Sequence, residues 1–141
     1  MPSKTDHLTL AQHNQDTIEF LGASHSDFSD WVATIAFYRA LHLVESLFYQ
    51  DPSIVHGCDH KTREAILKRR YSMIYVHYRP LKSASMIARY LMDSGGTAYR
   101  RFSDYLKPTE VKSELLEFRL KELEKLVQML LVVKPSGSTG V

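Results

Sequence analysis

Of the 141 residues (16.2 kDa), 44% are apolar and 24% are charged. This length suits one domain, and an apolar share near the globular average of about 45–50% excludes intrinsic disorder over most of the chain. No apolar run reaches the roughly 20 residues that cross a bilayer, the first residues lack a signal-peptide core, and one cysteine excludes an internal disulfide. We therefore expect a cytoplasmic protein with a single helical domain over residues 1–133 and a flexible tail over residues 134–141.

The net charge of +2 is unevenly distributed along the chain. Residues 1–60 contain two basic and eight acidic residues, for a net charge of −6. Residues 61–107 contain eleven basic and three acidic residues, for a net charge of +8. Such a basic block is typical of a surface that binds a polyanion. It also agrees with a simpler interpretation, in which the block neutralises the acidic helices within the fold or across a dimer.

Hydrophobic periodicity and helix-end residues predict an all-α protein. A first helix is expected over residues 8–21, with Gly22 as its C-terminal stop. A second helix is expected to begin at residues 26–29 and to end at Asp51-Pro52. Its apolar residues, which begin with Trp31, cover more than one face, and this is typical of a central, buried helix.

The second half of the chain predicts two more helices, a loop and a long last helix. Asp59 is expected to cap a third helix that ends near residue 70. A fourth helix over residues 72–92 contains Pro80, which predicts a kink or a break. A loop then leads to a last helix over residues 108–133. The predicted architecture is an up-and-down bundle of four or five helices.

The last helix carries an apolar seam at heptad spacing, formed by Leu116, Leu120, Leu123, Val127 and Leu130. Further apolar residues lie beside this seam, namely Leu115, Leu126 and Leu131. Together they form more apolar surface than one intramolecular contact requires, which predicts a homodimer or a higher assembly through part of this surface.

Three potential metal ligands lie within five residues, at His56, Cys58 and His60. Zinc sites usually combine one such pair with a second pair elsewhere, and the chain has no second cysteine. The sequence therefore predicts no metal site and no cofactor, and this segment is interpreted as a polar loop.

Tyr38, His42 and Glu45 share one face of the second helix, at positions i, i+4 and i+7. Polar groups on a buried helix need partners, so one interpretation is a structural network in which His42 bonds to a neighbouring helix. The other is a pocket in which His42 acts as an acid or a base, because histidine titrates near neutral pH.

His60 and Arg63 lie one turn apart at the start of the third helix. A cation at a helix N-terminus opposes the helix dipole, so Arg63 is expected to reach an anion or a carboxylate, internal or external. We expect it to make two parallel bonds to a phosphate, which the backbone amides of the helix start would also attract.

Arginines alternate with aromatic residues at Arg89-Tyr90 and again at Arg100-Arg101, which Tyr99 and Phe102 flank. Single-stranded nucleic acid is bound by that mixture through base stacking and phosphate pairing. The alternative is that Tyr90 packs in the core and the arginines are solvated.

Four motifs occur along the chain in the order Asp30-Trp31, Ala36-Phe37-Tyr38-Arg39-Ala40-Leu41-His42, His60-x-x-Arg63 and Tyr78-x-x-Leu81-x-x-x-Ser85-x-x-Ala88-Arg89-Tyr90. Together these motifs resemble the HEPN superfamily. The resemblance covers roughly residues 28–130 and implies a bundle of four or five helices, often homodimeric. It also implies one of two functions: a metal-independent ribonuclease with an Arg-x(4–6)-His motif at the dimer interface, or an inactive binding module.

Arg70 and His77 are separated by six residues and match the spacing of the nuclease motif. About one such match is expected by chance in a chain of this composition, and Tyr78 follows His77 directly, so the typical His-x-Tyr ending is absent. The candidate catalytic residues are His60, Arg63, His42, Arg70 and His77. The candidate RNA- or nucleotide-binding residues are Arg89, Tyr90, Arg100, Arg101 and Tyr38.

The resulting hypothesis is a HEPN-like protein that binds RNA or nucleotide, with metal-independent endoribonuclease activity as its catalytic form. In that chemistry a histidine moves a proton and an arginine stabilises charge on the phosphorane. The alternative function is a non-catalytic helical module for dimerisation or protein interaction.

Overall fold

The structure, a computed structural model, describes residues 2–24, 28–54 and 59–132. It confirms the predicted all-α bundle. The first four helices are α1 (Lys4–Ser24), α2 (Ser29–Tyr49), α3 (His60–Arg70) and α4 (Ser72–Tyr90). The predicted tail over residues 134–141 lies outside the described residues. Within them, no helix is both long and apolar enough to cross a membrane.

The bundle ends with a long helical segment, which we call the C-terminal helix and which consists of three consecutive elements. An α-helical turn (Pro108–Glu110) leads into a π-helical stretch (Val111–Leu120) and then into an α-helix (Lys121–Val132). The Glu110 side chain accepts a bond of 2.8 Å from the backbone N–H of Lys107 and so caps its start.

Helix α1 is longer than predicted, and the expected stop at Gly22 is wrong. The helix continues to Ser24. A glycine inside a helix costs only about 1 kcal/mol relative to alanine. Packing offsets this cost, because Ala11 and Ile18 are buried and Arg39 of α2 donates a 2.7 Å bond to the carbonyl of Ala11.

Helix α2 forms the core, as its apolar pattern predicts, with one exception. Phe37, Val44 and Phe48 are completely buried, whereas Trp31 is 58% exposed. The expectation that Trp31 belongs to the core is therefore wrong. It lies in the first turn of α2, on a different face from its neighbours Val32 and Ala33, which are buried.

The predicted cap of α3 is confirmed, because the Asp59 carboxylate accepts a 2.7 Å bond from the backbone N–H of Thr62. The expected break at Pro80 does not occur, since α4 is continuous from Ser72 to Tyr90. Tyr78 and Leu81, on either side of the proline, are completely buried. Their packing holds the helix together where one backbone hydrogen bond is missing.

The segment between α4 and the C-terminal helix is an organised turn within the predicted loop. Leu91 ends α4 with a left-handed φ of 56°, and Gly96 has a φ of 91°, which glycine adopts without a Cβ clash. The Asp93 carboxylate accepts bonds from the backbone N–H groups of Gly95 and Thr97. A 3₁₀ turn (Phe102–Asp104) then buries Phe102 against the core.

The apolar seam of the C-terminal helix differs from the heptad prediction at both ends. Leu120, Leu123 and Val127 are buried as predicted, but Leu130 is 37% exposed and Leu115 is buried in place of Leu116. The five-residue step from Leu115 to Leu120 matches the i→i+5 bonding of a π-helix. Leu115 is therefore part of the core, and the expectation that it adds to a dimer surface is wrong.

Candidate anion-binding site

Basic side chains from α3 and α4 lie close to Tyr38 of α2. We call these residues together the basic cluster: His60, Arg63, Lys82, Arg89 and Tyr38. Nη1 of Arg63 lies 3.1 Å from Nδ1 of His60. The Arg89 guanidinium carbon lies 5.9 Å from the ring centre of Tyr38. The charges of Lys82 and Arg89 both act on His60. Four of the predicted site residues therefore lie together, with Lys82 as an addition.

Two cations of the basic cluster have carboxylate partners within the fold. Arg63 is buried and pairs with the buried carboxylate of Glu45 on α2. Lys82 pairs with Glu64 of α3. The sequence left open whether Arg63 reaches an internal or an external anion, and in this structure its partner is internal.

Arg89 has a different environment. Its guanidinium carbon lies 5.0 Å from the ring centre of Tyr90, in addition to its contact with Tyr38. Its Nε donates a 3.2 Å bond to the backbone carbonyl of Ser85. Across the described residues, no carboxylate lies within ion-pair distance of Arg89. This exposed guanidinium is thus oriented by neutral groups and keeps its charge available for an external anion.

The imidazole of His60 has one defined tautomer. Arginine has no acceptor and only donates, so the neutral His60 ring accepts at Nδ1 and carries its proton on Nε2. Partial burial, then the nearby charges of Arg63, Lys82 and Arg89, lower the pKa of His60. The ring is therefore neutral at pH 7 and presents an N–H donor.

The N-terminus of α3 is already occupied by a carboxylate. The Asp59 side chain takes the Thr62 amide that was expected to attract a phosphate. Its own pKa is lowered, chiefly by this backbone bond, so it stays charged and repels a second anion. An anion is better placed near Arg89 than at the start of this helix.

His42, on the face of α2 that also carries Tyr38 and Glu45, forms a pair with a histidine of α1. Nδ1 of His42 lies 3.0 Å from Nδ1 of His7 on α1, and the two rings stack. Burial and the neighbouring His7 lower the pKa of His42. His42 thus bonds to a neighbouring helix, in agreement with the structural interpretation.

The hydroxyl group of Tyr78 lies inside the bundle beside the basic cluster. Tyr78 is completely buried, next to Phe37 and the charges of Arg63 and Glu45. Burial raises the pKa of Tyr78, so the phenol is neutral and does not act as a base.

Arg70 and His77 contact different elements of the fold. Arg70 bonds to Asp51 and Ser53 in the segment after α2. His77 lies 3.4 Å from Arg119 of the C-terminal helix, and burial followed by this charge lowers the pKa of His77. The structure does not bring the two residues of the apparent nuclease motif into contact.

The other two predicted binding arginines lie in the turn before the C-terminal helix. Arg100 and Arg101 are both exposed, and Arg101 makes a surface pair of 3.5 Å with Asp104. Tyr90, next to the cluster, is 64% exposed, so it is not a core residue.

Two of the three potential metal ligands, His56 and Cys58, lie outside the described residues. Elsewhere in the part of the chain that the structure describes, no three His, Cys, Asp or Glu side chains are grouped to hold a metal ion.

Sequence reasoning missed two residues around the site, namely His7 and Lys82. His7 and Lys82 belong to other helices than their partners, so no local pattern relates them to the site.

The fold and the site together define a helical bundle with a basic, aromatic-lined surface. Comparison of the chain with family models, with curated proteins and with solved structures finds no match.

Proposed function

We propose that this chain is a HEPN-like protein that binds RNA or nucleotide through the basic cluster. The observation that carries the proposal is the position of Arg89. Its exposed guanidinium lies close to two tyrosine rings and has no carboxylate partner among the described residues. His60 adds an N–H donor nearby. A guanidinium together with a nearby N–H donor is suited to bind a phosphate group, which is the anionic group of nucleic acids and nucleotides.

The placement of the motif residues supports the HEPN-like part of the proposal. The resemblance is carried by four stretches of sequence. Residues from three of these stretches lie around one region of the bundle, namely Tyr38, His60, Arg63, Tyr78 and Arg89.

The tautomer of His60 favours binding over catalysis. A general base needs an unprotonated nitrogen that faces the substrate, but Nδ1 of His60 is directed at Arg63. The nitrogen that remains for a ligand carries a proton and donates. A ribonuclease mechanism that uses His60 as its base would require His60 to give up this contact.

The test compares Arg89→Ala with Arg69→Ala in titrations of a labelled RNA oligonucleotide and of a nucleotide. Arg69 is an exposed cation of α3, so both variants lose the same charge. Loss of the charged hydrogen bonds of Arg89 is expected to weaken binding by about 1.5–3 kcal/mol, and R69A by much less. Equal affinities for the two variants would contradict the proposal.

The same protein, incubated with RNA in EDTA, tests for endoribonuclease activity. The binding function predicts intact RNA. Cleavage by the wild type that His60→Ala or His42→Ala abolishes would show instead that the site is catalytic.

Dimerisation is the alternative function, and one observation favours it. Met129 and Leu130 are 58% and 37% exposed at the end of the C-terminal helix. If this surface forms a homodimer, the wild-type protein has a sedimentation mass of twice 16.2 kDa. Met129→Glu is then expected to give the mass of a single chain. A single-chain mass for the wild type at tens of micromolar protein would exclude the dimer.

A further inference from the structure

Two large aromatic side chains lie exposed at the end of the bundle that contains Arg89. Trp31 is 58% exposed and Tyr90 is 64% exposed. Single exposed apolar residues are common on protein surfaces. Two exposed aromatic rings at the end of the bundle that holds Arg89, a guanidinium with no carboxylate partner among the described residues, form a more specific combination.

The packing of α2 against α4 places these rings at the same end. The ring of Tyr71, just before α4, packs 6.0 Å from Phe48 near the end of α2. Arg89, near the end of α4, reaches back to Tyr38. The two helices are therefore antiparallel, and the first turn of α2, with Trp31, lies at the end where α4 finishes.

The spacing along α2 suits a ligand of more than one nucleotide. Trp31 lies seven residues before Tyr38, which corresponds to about 10 Å along the helix on the same face. Arg89 lies against Tyr38 and Tyr90. A phosphate bound to Arg89 therefore has the exposed ring of Tyr90 beside it. The exposed ring of Trp31 lies about two turns from Tyr38 along the same face of α2.

We infer that Trp31 and Tyr90 are base-stacking subsites for a ligand whose phosphate is held by Arg89, and that the ligand is single-stranded RNA. This inference rests on the proposed function. Bases in a duplex stack on each other, whereas single-stranded bases present their faces to aromatic side chains. Arg89 then supplies the charge, and the two rings select a ligand whose bases are accessible.

The fluorescence of the protein reports on the Trp31 subsite directly, because Trp31 is the only tryptophan in the sequence. The experiment titrates the wild-type protein with a single-stranded oligoribonucleotide, the same sequence as a duplex, and an abasic strand of equal length. Base stacking predicts quenching of Trp31 fluorescence and tight binding by the single strand alone. The abasic strand, which keeps every phosphate, is expected to bind weakly and to leave the fluorescence unchanged.

Two variants and one control complete the test. Trp31→Ala is expected to weaken single-strand binding about five- to 150-fold, the range for one lost base stack, while Trp31→Phe keeps most of the affinity. Phe20→Ala removes an exposed aromatic ring of α1 and is expected to change little. Thermal unfolding of each variant checks that it folds, and the wild-type fluorescence result stands independently of the variants.

The outcomes separate this inference from the proposed function. If the single strand, the duplex and the abasic strand bind equally, and Arg89→Ala weakens all three, the phosphate site exists and the stacking subsites do not. If none of the three binds, the proposed function fails and the inference fails with it.

Discussion

Nε of Arg63 lies 2.6 Å from a carboxylate oxygen of Glu45, and the two side chains are only 8% and 4% exposed. This ion pair joins α3 to α2 inside the bundle. The removal of one partner from such a pair leaves an uncompensated buried charge. Arg63, first considered as a phosphate ligand, therefore has a clear structural role in this fold.

Arg63→Ala is expected to lower the free energy of unfolding by about 3–5 kcal/mol, because it strands the charge of Glu45. Urea denaturation measures this change, with Arg69→Ala as the control of equal charge. The double variant Arg63→Met with Glu45→Leu is expected to recover most of the loss, since both charges leave together. Equal stability of R63A and R69A would show that the pair contributes nothing.

Protein stability is expected to fall as the pH drops through the range in which free histidine titrates. The pKa values of His42, His60 and His77 are all lowered, with burial as the largest cause. Below an unfolded pKa of about 6.5, the unfolded chain binds protons that the folded chain does not, so protonation favours unfolding.

Thermal unfolding between about pH 7.5 and pH 5.5 measures this effect. The midpoint is expected to decrease towards the acid end, and His42→Gln is expected to reduce the slope. His13→Gln serves as a control, since this residue is exposed on α1. A midpoint that rises as the pH falls would be the opposite of the expected sign.

The register of the π-helical stretch can be tested with neighbouring leucines. Leu115 is 3% exposed, whereas Leu116 is half-buried. Leu115→Ala is expected to lower the unfolding free energy by about 2–5 kcal/mol, the usual result of a core cavity, and Leu116→Ala by clearly less. A larger loss of stability for Leu116→Ala than for Leu115→Ala in chemical denaturation would show that Leu116 is the core residue, as the heptad spacing predicts.

Pro80 provides a test of the continuous helix α4. Pro80→Ala restores a backbone donor, and the gain of up to about 3 kcal/mol is partly offset by the greater freedom of the unfolded chain. The net result is expected to be a more stable protein in urea denaturation. A loss of stability would mean that the proline ring itself packs in the core.

The sequence by itself determined the helical elements of this protein. The apolar periodicity of α2, the cap at Asp59 and the proline at residue 52 act within a few residues, because helical hydrogen bonds and caps join neighbours in the chain. The positions of α2, α3 and α4 were therefore predictable to within one or two residues. Gly22 and Pro80 were the exceptions, since packing outweighed their local preference.

Only the tertiary structure decided which side chains share the site. Arg63 and Glu45 are 18 residues apart, and Arg89 and Tyr38 are 51 residues apart. No helical period relates such positions, because their contact depends on which faces of α2, α3 and α4 pack together. The same reason explains why Trp31 is exposed and Leu115 is buried: burial is a property of the neighbouring helices, and local sequence specifies only that a helix forms.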